Sequence, residues 1–117
     1  MPKILIVEDN EMNRDMLSRR LERRGFAIAM AVDGQQGVDM ARSEKPDLIL
    51  MDMSLPVMDG WTASNAIKTE YPHIKIVAYS AADGGKDRAL SNGANIDAFC
   101  DKGACTRSLL EAIRSVA

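Results

Sequence analysis

Glu8 and Asp9 close a short apolar run, Asp52 closes another, Ser80 ends a third and Lys102 follows a fourth. Side chains of these types at such positions could carry phosphoryl chemistry. Three carboxylates brought together repel one another and raise each other's pKa unless a cation neutralises them, so the group calls for a hard metal with oxygen ligands. Mg²⁺ is the natural occupant, with Mn²⁺ as the alternative, because three acids leave positions open for waters and phosphate oxygens. Lys102 and Ser80 would add a positive charge and a hydroxyl donor. With a carboxylate as nucleophile, the chemistry is acyl-phosphate formation, in which the protein mainly positions and neutralises charge. Taken singly, each residue has a plainer reading. An Asp after a strand commonly makes a turn or caps a helix, as Asp9 or Asn10 would here, and Ser80 or Lys102 alone would pass for surface residues. Their joint occurrence at ordered strand ends is what points to a site.

The elements that position them follow from the apolar pattern. Runs at Lys3–Val7, Ala27–Ala31, Asp47–Met51, Lys75–Tyr79 and Asp97–Cys100 predict five strands alternating with helices. The first, third and fourth are apolar without alternation, as strands buried on both faces of a parallel sheet are. Met12, Met16, Leu17 and Leu21 predict a helical stripe closed by Gly25, and Leu109, Leu110, Ile113 and Val116 another at the C-terminus. Further helices are expected over Gly37–Glu44, Gly60–Glu70 and Asp83–Asn92, the last weakened by Gly84-Gly85 and expected to be mobile. Pro46 and Pro72 precede strands, where they stop a helix without removing a central ladder bond. Parallel strands need right-handed crossovers with both faces covered, which predicts an α/β, doubly wound open sheet. In such sheets ligands bind beyond the carboxyl ends of the strands, where the acids fall.

At 117 residues the chain has the size of one domain, 1–117. Its net charge of -2 provides no basic field for nucleic acid. The first apolar run is too short for a signal peptide's apolar core or a membrane span, which predicts a cytoplasmic protein. Cys100 and Cys105, with no histidine near them, fit neither a zinc site nor a redox pair and are expected to be reduced and structural.

The segment Lys3-Ile4-Leu5-Ile6-Val7-Glu8-Asp9-Asn10 resembles the first strand and acidic pair of bacterial response regulator receiver domains. Asp52-Met53-Ser54-Leu55-Pro56-Val57-Met58-Asp59-Gly60 resembles their phosphoacceptor segment, and Ser80 and Lys102 fall where the family has its Ser/Thr and its lysine. The likeness spans essentially the whole chain. It implies a flavodoxin-like (βα)5 fold with strand order 2-1-3-4-5, and phosphorylation of Asp52 by a sensor histidine kinase or histidine phosphotransfer protein. It further implies Asp9, Asp52 and the backbone carbonyl of Ser54 as direct Mg²⁺ ligands, with Glu8 acting through water. Ser80 would move toward the phosphoryl group and Phe99 would be the switch aromatic, although a plain core residue on the last strand is the other reading of Phe99. The output surface for a downstream protein target would be the fourth helix, fifth strand and fifth helix. Nothing beyond self-phosphorylation and self-dephosphorylation would be catalysed. Because Met1 opens the chain and no output domain follows the fifth helix, a single-domain regulator acting through protein contacts is expected, with an excised piece of a larger kinase or regulator as the other reading.

Some positions depart from the family. Gly103 stands where a proline is usual, and Ser54 and Ala82 occupy positions that tune phosphoryl lifetime. Arg19, Arg20, Arg23 and Arg24 line the first helix, either as a docking face for an acidic phosphodonor or as an ordinary solvated face. A dehalogenase-type hydrolase would need a second aspartate where Ser54 stands. A flavin-binding module would need a phosphate loop where Glu8-Asp9 would repel the phosphate.

Overall fold

The computed structural model describes residues 2–52, 60–80, 96–101, 109–111 and 113–114. They form β1 (Lys3–Val7), α1 (Glu11–Glu22), β2 (Ala27–Ala31), α2 (Gly34–Glu44), β3 (Leu48–Asp52), α3 (Gly60–Glu70), β4 (Lys75–Ser80) and β5 (Ala98–Asp101), with helical residues again at 109–111 and 113–114. The strands make one parallel sheet in the order β2-β1-β3-β4-β5. The three unalternating apolar runs are therefore its three interior strands, as their composition requires. The predicted Asp83–Asn92 helix lies outside the described residues, as do Ser54, Lys102, Gly103, Cys105 and Val116.

Side-chain alternation divides the core into two layers. Ile4, Ile6, Leu48, Leu50, Val77 and Tyr79 face one side, packed with Leu17 and Leu21 of α1 and with Leu109, Leu110 and Ile113. Leu5, Val7, Ile49, Met51, Ile76 and Ala78 face the other, with Ala41 of α2 and Ala63 and Ile67 of α3. Each fully buried Leu or Ile contributes about 1.5–3 kcal/mol of transfer free energy. That apolar sandwich holds the strand ends in place.

Helix boundaries follow from local chemistry. Asn10 caps α1, its Oδ1 accepting from the Asn13 N–H at 3.0 Å, and Gly25 closes the helix at φ 92, a left-handed conformation glycine adopts without strain. α2 begins three residues earlier than its apolar pattern predicts. Asp33 caps it through the Gln36 N–H at 2.8 Å, so Gly34, Gln35 and Gln36 are drawn into the first turn. α2 ends on Lys45 in the left-handed region, φ 48. Met12, expected in the buried stripe of α1, is 81% exposed while Leu17 and Leu21 are buried. The first turn of α1 lies at the strand ends, so only the later turns cover the sheet. At the opposite end, Asp97 accepts from the Ile76 N–H at 2.8 Å and pairs with Lys68 at 2.7 Å, tying the start of β5 to β4 and α3.

Candidate functional site

Register determines which residues meet. β1 and β3 pair Val7 with Met51, so Glu8 and Asp52 are level one step further on. β3 and β4 pair Asp52 with Tyr79, and β4 and β5 pair Ser80 with Asp101. Ser80 thus ends its strand one residue beyond the row of Asp52, and Lys102 follows immediately after β5. The side chains of Ser80 and Phe99, like all of Lys102 and Ser54, lie outside the described residues. The backbone places Ser80 and Phe99 on β4 and β5 as the sequence predicts.

Alternation then directs the acids. Asp52 continues the face of Leu48 and Leu50, and Glu8 continues that of Ile4 and Ile6, the side covered by α1. Both are buried, each 1% exposed, whereas Asp9 is exposed at the rim. Glu8, Asp9 and Asp52 each offer a carboxylate oxygen within 4.8 Å of the others. Two buried carboxylates and one at the rim make an all-oxygen donor set.

The electrostatics carry the mark of that crowding. The Glu8 carboxyl is pushed up to about 7 by burial first, then by its hydrogen bond to Asp52 and the repulsion of that charge, against a smaller lowering effect of the Asn10 N–H. Without a cation, Glu8 therefore carries a proton over part of the physiological range. A divalent ion would remove that penalty by supplying the missing positive charge. The residues fit such an ion in donor type, number and charge. They suit Mg²⁺ in particular, since Mg²⁺ keeps several waters and takes only a few carboxylates.

The turn between β1 and α1 is tied down from within. The Asn10 N–H donates to Glu8 Oε2 at 3.3 Å, and Arg14 donates Nη1 to the carbonyls of Glu8, at 2.9 Å, and Asp9, at 3.0 Å. The sequence did not single out Arg14. The available signal was its place one helical turn past the cap, from which a long side chain folds back over the helix start.

Comparison with known proteins gives a consistent family. The sequence profile of the response regulator receiver domain matches residues 4–114. The peroxide stress-activated histidine kinase mak1 of Schizosaccharomyces pombe is 44% identical over 86 residues, covering 67% of this chain and 5% of that protein. Hybrid signal transduction histidine kinase I of Dictyostelium discoideum is 35% identical across 97% of this chain and 7% of its own length. The chain thus spans a small fraction of these kinases. Among solved structures, the receiver domain of sensor histidine kinase PA1611 from Pseudomonas aeruginosa, with magnesium in its active-site cleft, superposes with a TM-score of 0.89 at 29% identity, covering 97% and 95% of the two chains. The chemotaxis protein CheY4 of Vibrio cholerae shares the fold with a TM-score of 0.91 at 24% identity, covering 100% and 99%.

Proposed function

From the premise that the chain belongs to the response regulator receiver domain family, we propose that Asp52 is its phosphoacceptor in two-component signalling. The donor would be a phosphohistidine on a sensor histidine kinase or a histidine phosphotransfer protein. The observation that carries this is the buried Asp52 carboxylate at the end of a central strand, within 4.8 Å of Glu8 and Asp9. Residues 1–117 are taken as one receiver domain.

In the transfer, an Asp52 carboxylate oxygen attacks phosphorus, the O–P bond forms and the P–N bond breaks. The imidazole leaves with that bonding pair and takes a proton from water. Asp9 and Asp52, with the Ser54 carbonyl, would hold Mg²⁺ directly and Glu8 through water. Bound there, the ion neutralises the carboxylates and the charge on the transferring group. Lys102 and Ser80 would donate to the remaining phosphoryl oxygens. The new charge beside Asp52 would draw Ser80 inward, with Phe99 following and the face of the fourth helix, β5 and the fifth helix changing for a protein target. Only self-phosphorylation and self-dephosphorylation are catalysed in this reading. A cytoplasmic location and a lack of nucleic-acid binding belong to the same proposal; among the described residues no helix is long and apolar enough to cross a membrane, and Cys100 is a buried free thiol.

The test is intact-mass measurement after incubation with acetyl phosphate, with and without Mg²⁺, beside Asp52→Asn. One added phosphoryl mass, dependent on Mg²⁺ and absent from the variant, is expected. A gain that persists in the variant would remove Asp52 from the role, and no gain from this donor or from any histidine kinase would reject the phosphoacceptor reading.

A further inference from the structure

Three acids at the strand ends create a positioning problem that apolar packing alone does not solve. Glu8 and Asp9 lie beyond the last paired residue of β1, in a turn whose backbone has left the β1–β3 ladder. Crowding of the three acids raises the cost of holding their side chains together; besides the Glu8 N–H on the Ala31 carbonyl at 3.1 Å, two further devices hold the turn in place. One is the Asn10 cap, whose Oδ1 receives the Asn13 N–H and whose carbonyl receives the Arg14 N–H at 2.9 Å. The other is the half-buried side chain of Arg14, with Nη1 between the Glu8 and Asp9 carbonyls at 2.9 and 3.0 Å.

Where this guanidinium binds is informative. An arginine beside three carboxylates would ordinarily pair with one of them in a bidentate fork, and among the described residues Arg14 forms no such ion pair. It grips main-chain oxygens instead. That fixes the two Cα positions from which the Glu8 and Asp9 carboxylates project, and brings one positive charge behind the cluster without placing arginine nitrogens among its carboxylate oxygens. A group that orients ligands without touching the ion is the usual second layer of a metal site.

We infer that Arg14 is a positioning residue of the acidic site, its guanidinium clamping the Glu8 and Asp9 carbonyls so that both carboxylates are aimed at the cation held with Asp52. This rests on the proposed function and adds a residue to it. Loss of the clamp should weaken cation binding while leaving the phosphoryl step intact once the ion is bound.

The experiment compares wild type, Arg14→Ala and Arg14→Lys by calorimetric titration with Mg²⁺, and measures phosphorylation by acetyl phosphate across Mg²⁺ concentrations. Arg14→Ala is expected to lose about 10- to 100-fold in Mg²⁺ affinity, with its rate returning close to wild type at saturating Mg²⁺. Arg14→Lys, which keeps the charge and a reach one atom shorter, should recover part of the affinity. It also carries the test if the alanine variant does not fold. Mg²⁺ affinity unchanged in both variants, or a rate still depressed at saturating Mg²⁺, would overturn the inference. Failure of the wild type itself to bind Mg²⁺ would reject the functional reading and the inference with it, and the wild-type titration distinguishes that case.

Discussion

Glu8 sets the pH behaviour of the site. Its carboxyl titrates near 7 in the folded chain against an ordinary value of 4.5, chiefly through burial and then through Asp52. Between those values the folded state keeps a proton that the unfolded chain releases, so stability of the metal-free protein falls as pH rises from about 4.5 to about 7. Removing the Asp52 charge by Asp52→Asn removes one cause of the shift. Thermal melts in chelator should therefore show the variant more stable than wild type near pH 8, by several degrees, at about 4 °C per kcal/mol for a domain of this size. A variant that melts below wild type throughout would contradict that balance. Cation binding displaces the same proton, so Mg²⁺ affinity should fall by up to about tenfold per pH unit below 7 and level off above it; titrations at about pH 6, 7 and 8 check this. The acids were legible in the sequence because position after an apolar run is a strong signal. Arg14 was not, because its partners are carbonyl oxygens, which every residue carries and no sequence pattern marks.

At the scale of elements, the strands were the most legible feature, since burial on both faces leaves a composition that helices of this protein do not share. Helix starts were less so. The sequence pattern predicts α2 from Gly37, but the cap is Asp33, and Gly37 lies inside the helix for a packing reason. A methyl group added there would meet the two Val7 methyl carbons at 3.0 and 3.1 Å. Val7 is fully buried and β-branched, so it has little freedom to yield. Gly37→Ala gains helix propensity of about 1 kcal/mol but overpacks α2 against β1 at a cost of about 1–3 kcal/mol, and net destabilisation is expected in denaturant melts. Pairing it with Val7→Ala should give less than the sum of the two losses, since the two changes share one contact. In α3, Ser64 is fully buried and, among the described residues, its Oγ has no hydrogen-bond partner, so Ser64→Ala should stabilise by about 1 kcal/mol. An unchanged or lower denaturation midpoint would count against that. The Met12 reversal has a similar origin: helical periodicity gives the face of a residue but not whether its turn overhangs the sheet.

Across the whole molecule, the arginines of α1 give a local field opposite in sign to the overall charge of -2. Arg19 and Arg23 line a shallow cleft of about 290 Å³ with Met12, Asp15, Met16 and Arg20, and the exposed Met12 also lines a neighbouring cleft with the exposed Met30. Arg19 pairs with Asp15 at 3.2 Å, but both side chains are more than half exposed, and such a pair contributes little to stability. Removing these charges should therefore leave the fold intact. Basic side chains around exposed methionines suit an acidic partner with apolar residues, and the cleft lies on the helix whose first turn borders the acidic pocket. A phosphodonor docked there would present its phosphohistidine toward Asp52. Arg19→Glu with Arg23→Glu should then slow transfer from a phosphorylated protein donor about tenfold or more at low salt, with the difference shrinking as salt screens the field. Phosphorylation by acetyl phosphate, which needs no docking face, should be unchanged in the same variant. Equal slowing with both donors would mean that the substitutions reach the acidic pocket itself. No slowing with the protein donor would leave the arginines as a solvated helix face, the plainer of the two readings open to the sequence.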